Sequence, residues 1–192
     1  MTLLHNISRT LQRRRNATWH ALGYDTTVRA ESAADFDAIA HITRTAFNNE
    51  AEVTLISALR QQSNNCIALV AEQHNKVIGH ILFSPATLSG APNCQIMALA
   101  PMAVSQILQH QGVGSALVRS GLEQCKQRGI AAVVVLGHPA YYARFGFLPA
   151  SKFGISCPWQ VPDEAFMLLE LQQHSLRGEK GQVLYHPAFS EL

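Results

Sequence analysis

Two glycines one residue apart, Gly112 and Gly114, open a helix-patterned segment just after a strand-patterned one. The strand side reads Met97-Ala98-Leu99-Ala100-Pro101-Met102-Ala103-Val104, and the helix side begins Gln109-His110-Gln111-Gly112-Val113-Gly114-Ser115. Glycine lets a backbone approach a ligand closely. The first turn of a helix carries N–H groups without intrahelical partners and the positive end of the helix dipole. Together these features make an anion site suited to a pyrophosphate. Two nucleotide patterns fail here. The P-loop needs a lysine after its last glycine, and none follows; the dinucleotide fingerprint needs a third Gly or Ala where Leu117 stands.

Pro101 adds a second constraint. Proline donates no ladder hydrogen bond, so inside a strand it marks an edge or a bulge. Beyond it, the backbone of Met102, Ala103 and Val104 is expected to keep unpaired groups. An extended ligand bearing amides can pair with them as an added strand would. Pantetheine is such a ligand and is joined to a pyrophosphate, so the two features together fit coenzyme A.

The stretch Gln109-x-x-Gly112-x-Gly114 resembles the Q/R-x-x-G-x-G/A motif of the GNAT N-acetyltransferases. Downstream, Tyr142-Ala143-Arg144-Phe145-Gly146-Phe147 resembles the family's Y-x-x-x-G-F ending. The whole run from Leu136 to Phe147 is similar to the L-G-x-P-x-Y-Y-x-R-F-G-F of a bacterial subgroup of predicted acetyltransferases. The resemblance covers roughly residues 26–171.

It implies a single α/β domain over residues 26–192. The expected sheet is mixed and twisted, of about six or seven strands with helices on both faces. A splayed gap between the strand before the motif and the strand after its helix would hold acetyl-CoA as co-substrate. Gln109, His110, Gln111, Gly112, Val113, Gly114 and Ser115 would bind the pyrophosphate. The backbone of Met102, Ala103 and Val104 would bind pantetheine, and Tyr142 would act as general acid at the thioester sulfur. The implied reaction is direct transfer of acetyl to an amine, small-molecule or peptide. An alternative on the same fold is a non-catalytic module that binds acyl-CoA as a sensor or partner-binding domain.

Two departures stand out: His110 replaces an arginine frequent in the family, and Ser105-Gln106-Ile107 replaces a Pro-containing turn. The general base stays open among Glu50, Glu52, His80, His138 and Glu164. A homodimer is one arrangement that the resemblance allows.

The elements that must position this site are readable around it. Ser32 with Asp35 forms a capping box, followed by a helix whose expected inner face is Phe36, Ile39, Ala40, Thr43, Ala46 and Phe47. A second helix carries Glu52, Leu55, Ile56 and Leu59 on one face. Residues 66–71 and 77–83 form a hairpin, residues 84–93 read as a loop, and residues 94–104 form a strand. The helix at 112–128 sets Val113, Leu117, Val118, Leu122 and Cys125 on one side, with Gly121 among them. Gly129 caps it. Residues 131–136 are a buried strand, so 94–136 spells strand, helix, strand. A short helix ends at Gly146, and residues 166–171 and 182–185 are two further strands.

Composition sets outer limits. The chain has 192 residues, a net charge of +2, 47% hydrophobic and 15% charged residues, and a mean hydropathy of +0.04. That is enough chain to bury a core and too apolar for disorder. There is no apolar run of membrane-spanning length, and the charge excludes a dedicated nucleic-acid binder. Cys66, Cys94, Cys125 and Cys157 are evenly scattered, and no Cys/His cluster with metal-ligand spacing occurs. They read as small buried hydrophobes in a reducing, cytoplasmic setting. Residues 1–25 carry Arg9, Arg13, Arg14 and Arg15 with no acid before Asp25, and read as a loosely ordered arm.

Overall fold

The computed structural model describes residues 17–21 and 24–191. The arm expected over residues 1–25 therefore lies largely outside the described residues. Strand β1 (Ala17–Ala21) pairs antiparallel with β2 (Tyr24–Ala30). At the end of β2 the capping box forms: the Ser32 N–H and hydroxyl both reach Asp35 Oδ2, at 2.7 and 2.8 Å. It opens a short 3-10 turn that continues into α1 (Phe36–Phe47), and α2 (Ala51–Gln62) follows. The buried stripe of α1 is Ile39, Ile42 and Thr43. Phe36 and Phe47 were expected inward, yet they are 39% and 38% exposed. Phe36 instead lies under the Arg60 guanidinium, 3.9 Å from its ring centre, where a cation replaces the core as its partner.

The hairpin of β3 (Ile67–Gln73) and β4 (Lys76–Leu88) turns through His74 and Asn75, both left-handed as a two-residue hairpin turn requires. Strand β5 (Ala91–Val104) returns along β4. The loop expected at 84–93 is instead mostly strand, with its turn confined to Ser89 and Gly90. Pro85 is tolerated because it lies beyond Ile67↔Phe83, the last pair between β3 and β4, where one flank of β4 no longer needs a donor.

Helix α3 (Val113–Gln127) leads to β6 (Ala132–Leu136), which pairs parallel to β5. The strand–helix–strand unit is thus present as read. The remainder comprises α4 (Pro139–Tyr142), β7 (Leu148–Pro149), β8 (Ile155–Ser156), β9 (Phe166–Glu170) and β10 (Gly181–Leu184). The sheet runs β1-β2-β3-β4-β5-β6-β9-β7, with β10 on the far end of β4 and β8 on β10. Its ten strands exceed the expected number partly because β7 and β8 are two-residue pairings.

Helices cover both faces, and strand alternation sorts the core between them. Leu69, Ile81, Phe83, Met97 and Val133 pack with Leu117, Val118 and Cys125 of α3. Their neighbours Val70 and Leu82 pack with Ile39 of α1 and Leu55, Ile56 and Leu59 of α2. Gly121 permits close helix–sheet packing, since a Cβ there would overlap the Phe83 ring. All four cysteines are free thiols. Only Cys125 is fully buried, its thiol pushed up to about 12 chiefly by burial. Cys66, Cys94 and Cys157, expected as buried hydrophobes, are half-buried.

The feature that matters most lies between β5 and β6. Their pairing stops at Ala98↔Val134, while β5 runs on to Val104. A register shift between Ile81 and Phe83 on β4 faces the segment holding Pro101, so the strand bends where the proline predicts.

Candidate active site

Past Pro101, Met102, Ala103 and Val104 pair with Ile81, His80 and Gly79 of β4. Their other edge has no strand beside it, because β6 has already left. Ser105 N–H donates to Ile78 O at 2.9 Å and turns the chain off the sheet. The Gln109 side chain folds back, its Nε2 donating to Val104 O at 3.4 Å.

The loop then winds through two left-handed residues, His110 at φ 61° and Gly112 at φ 87°. Gly112 is the N-cap of α3. The first backbone bond across its opening turn runs from Ala116 N–H to Gly112 O, at 3.0 Å. The N–H groups of Val113, Gly114 and Ser115 precede it, so they lack helical acceptors. Gly79 keeps the opening turn close to the sheet: a Cβ there would sit 3.1 Å from Leu117 Cδ1 and 3.2 Å from Ala103 O. The open edge of β5 and the N-terminus of α3 are thus brought close to each other across Gly79.

Helix α4 closes one side. A Cβ on Gly114 would lie 2.7 Å from the Tyr141 hydroxyl. Arg144 ties the two helices together, its Nε donating to Tyr141 O at 3.2 Å and its Nη2 to Ser115 Oγ at 3.4 Å. Its guanidinium also sits 4.5 Å from the Tyr141 ring centre. Neither Tyr141 nor Arg144 was singled out from the sequence. The available signal was their spacing of three on a short helical segment, which puts them side by side.

Tyr142 is 8% exposed and belongs to the α3-side core. Its ring stands edge-on to Tyr141 at 5.0 Å and to Phe147 at 5.7 Å. Gly137 makes room for it, since a Cβ there would come within 2.5 Å of the ring. Burial, reinforced by Tyr141, pushes the Tyr142 hydroxyl well above its ordinary value, so it remains a proton donor at neutral pH.

The five candidate bases separate clearly. Glu50 is exposed and tied to Arg44. His138 is the exposed N-cap of α4, and Glu164 is exposed in a short turn. His80 is fully buried on β4. Its Nε2 lies 3.1 Å from Glu31 Oε2 and burial pushes its pKa down, so it is neutral and donates to the carboxylate. Glu31 is in turn gripped by Arg60 at 2.8 and 2.7 Å. Burial alone would raise the Glu31 carboxyl, but the bonds from Arg60 and His80 hold it at about 2. Glu52 differs from all of these. It stands one turn before Leu55 and Ile56 on the inward side of α2, and its buried Oε2 has no hydrogen-bond partner. The core cluster beneath α2 includes Ala100 of β5, next to Pro101, and Tyr185. That side of the splayed strand is thus within the territory of α2.

Among the described residues no group of three His, Cys, Asp or Glu side chains is arranged to hold a metal ion. Likewise none of their helices is long and apolar enough to cross a membrane.

Comparison with known proteins agrees with this geometry. The model of the Acetyltransferase (GNAT) family matches residues 36–147. The uncharacterized N-acetyltransferase YhbS of Escherichia coli K12 is 36% identical over 166 residues, spanning 86% of this chain and 99% of that protein. The uncharacterized N-acetyltransferase YjhQ of the same organism is 36% identical over 135 residues, spanning 68% of this chain and 75% of that protein. The crystal structure of E. coli YhbS in complex with CoA superposes with a TM-score of 0.82 at 35% identity, covering 87% of this chain and 93% of that one. A GNAT acetyltransferase from Brucella melitensis in complex with acetyl-CoA gives 0.71 at 32% identity, covering 85% and 97%.

Proposed function

The chain belongs to the GNAT acetyltransferase family and is an N-acetyltransferase of that type, and on that premise we propose that acetyl-CoA seats in the gap between β5 and β6 and gives its acetyl group to an amine. One observation carries this reading. The unpaired edge of β5 past Ala98 is followed, across the loop from Ser105 to Gln111, by a helix N-terminus with Gly112 as its cap and Gly114 in its first turn. An extended diamide joined to a pyrophosphate suits a strand edge followed by a helix N-terminus. The CoA and acetyl-CoA held by two relatives more than 30% identical support the same ligand class.

The division of labour follows from chemistry. The backbone of Met102, Ala103 and Val104 pairs with pantetheine, and Gln109, His110, Gln111, Gly112, Val113, Gly114 and Ser115 surround the pyrophosphate. An N–H of the splayed strand polarises the thioester carbonyl. The amine nitrogen attacks the carbonyl carbon, the C–N bond forms, and the C–S bond breaks. An alkylamine with a pKa near ~10.4 is free in roughly one molecule in 10³ at neutral pH, so the loss of its proton needs help. Glu52, with a buried oxygen that has no hydrogen-bond partner among the described residues, draws in the acceptor nitrogen and collects that proton. Tyr142, kept protonated by burial, donates to the departing sulfur. A thiolate of pKa about 8.5 leaves readily, so this contribution is the smaller one.

Calorimetric titration of acetyl-CoA tests the seat. The chain should bind saturably, and Gly114→Trp should weaken binding on the order of 100-fold. The first atom met by a side chain at 114 is the Tyr141 hydroxyl, the end of a side chain that can swing, so a melting curve should show the variant folded. A folded native chain that binds no acetyl-CoA would overturn the proposal. For the acceptor side, Glu52→Gln should lower kcat/KM for amines while leaving acetyl-CoA affinity within about twofold.

A further inference from the structure

Three aromatic rings stand in a row near the C-terminal end of the described chain. The ring centres of Trp159 and Tyr185 are 4.7 Å apart, and those of Tyr185 and Phe189 are 5.0 Å apart. The row crosses from solvent to core: Trp159 is 42% exposed, Tyr185 is half-buried and Phe189 is buried. Its inner end is anchored. Phe189 belongs to a 3-10 turn at Pro187–Glu191 that stands against α2. It packs there with Leu55, Ile56 and Leu59, and Tyr185 and Ala100 of β5 lie against the same cluster. The outer end is restrained too. Trp159 sits in the loop between β8 and β9 with Pro158 and Pro162 on either side, and each proline fixes its own φ. The row thus starts beside the splayed part of β5 and ends in an open indole face.

The same face of the sheet carries polar atoms without partners. Ser84 lies two residues along β4 from Leu82, and so on the α1 and α2 side. Among the described residues its Oγ, Thr43 Oγ1 of α1, His80 Nδ1 of β4 and Glu52 Oε2 of α2 are buried without a hydrogen bond. Glu52 supplies the one carboxylate of the four, one turn before Leu55 and Ile56, which pack with Phe189. The arginines of α1 and α2 are already engaged, Arg44 with Glu50 and Arg60 with Glu31. Neither is left to receive an anionic group.

We propose that the acceptor is an aromatic monoamine, a flat ring joined by a short chain to a primary amine and bearing no carboxylate, and that Trp159 and Tyr185 form the wall against which its ring packs. This rests on the acetyl-CoA reading above and on Glu52 as the group that meets the amine. One carboxylate suits one ammonium group, and a second cation on the acceptor would go unmatched. A carboxylate on the acceptor would lose its water without gaining a paired cation. A ring, by contrast, extends the existing row, with offset or edge-on contact to the open indole. Trp159 and Tyr185 set specificity in this account and take no part in the chemical step.

The test measures CoA release by the full chain at saturating acetyl-CoA, with phenethylamine, phenylalanine and putrescine as acceptors. Phenethylamine should show a kcat/KM at least about tenfold above the other two. Trp159→Ala should raise its KM about tenfold while leaving kcat and acetyl-CoA affinity within about twofold, and Trp159→Phe should restore most of the loss. Melting curves should show both variants folded. Equal use of phenylalanine or putrescine by the native chain would overturn the proposal, as would a preference that survives Trp159→Ala. Binding of acetyl-CoA without turnover of phenethylamine would overturn it as well. Failure of a folded native chain to bind acetyl-CoA would instead remove the cofactor reading beneath it, an outcome that the binding measurement separates from the others.

Discussion

On the α1 and α2 side of the sheet, charged groups satisfy one another. Arg29 reaches Asp35 at 2.7 and 2.8 Å and Glu72 at 2.9 and 2.5 Å, while Arg60 and His80 converge on Glu31. Along the edge of β5 and the start of α3, polar groups instead face outward. The backbone past Ala98 has lost its strand, and the first N–H groups of α3 have no helical acceptor. Buried polar groups that lack partners cost free energy, so a fold that leaves them accessible has a ligand to meet them. The first region holds the sheet and its helices in place; the second is where we place the chemistry. Glu52 sharpens the contrast: among the described residues its Oε2, with Thr43 Oγ1, His80 Nδ1 and Ser84 Oγ, is a buried side-chain atom without a partner on that side, and it is the only carboxylate oxygen of the four. The acceptor should enter there.

If the contrast is right, damage to the two regions should separate stability from function. The largest effect should come from Arg60→Met, which leaves Glu31 buried without its main partner. Loss of about 3 kcal/mol of unfolding free energy is expected by denaturant titration, with acetyl-CoA affinity in the folded protein within about twofold. An equal loss of affinity would mean that the network also shapes the cofactor seat.

Acid should act through the same network. Glu31 is lowered in the folded state, so its contribution is present above the ordinary carboxylate range and lost as pH falls towards about 2. His80, lowered by burial, works in the same direction, its contribution draining as pH falls below about 6.5. Melting temperature should therefore decline on acidification, and Glu31→Gln should flatten the lower part of that decline.

A smaller effect, confined to the other region, is expected of Tyr142→Phe. It should lower kcat about tenfold, equivalent to ~1.4 kcal/mol, with little change in KM. An unchanged kcat would leave Tyr142 as a packing aromatic only. Smallest of all is Arg44→Ala. Its partner Glu50 is exposed, and such pairs are screened by water and salt. Neither melting temperature nor turnover should move measurably.

Local chemistry made much of the second region legible before any fold was known. The glycines of the motif, Pro101 and the 3.6-residue pattern of α3 each act within a few residues, as does the capping box in the first region. The satisfied network was invisible for the opposite reason. Glu31 and His80 are 49 residues apart, Arg29 and Glu72 are 43 apart, and only strand register joins them. The same limit hid the strand pairing across 84–93, where two prolines read as a loop but the end of β3 had freed one flank. Phe36 and Phe47 looked like core from their apolarity alone, although the helix turns them to the rim. Arg144 sits inside a motif that was read for its tyrosine and glycine, and only the packing of α4 against α3 reveals what its guanidinium faces.

Amide hydrogen exchange, followed peptide by peptide with and without acetyl-CoA, tests the central claim most directly. The unmet backbone groups should become protected on binding, at Met102–Val104 and across Gln109–Ser115. Protection around Glu31, Arg60 and His80 should stay as it was. Binding that leaves both segments unprotected, or that protects the charged network instead, would contradict the account.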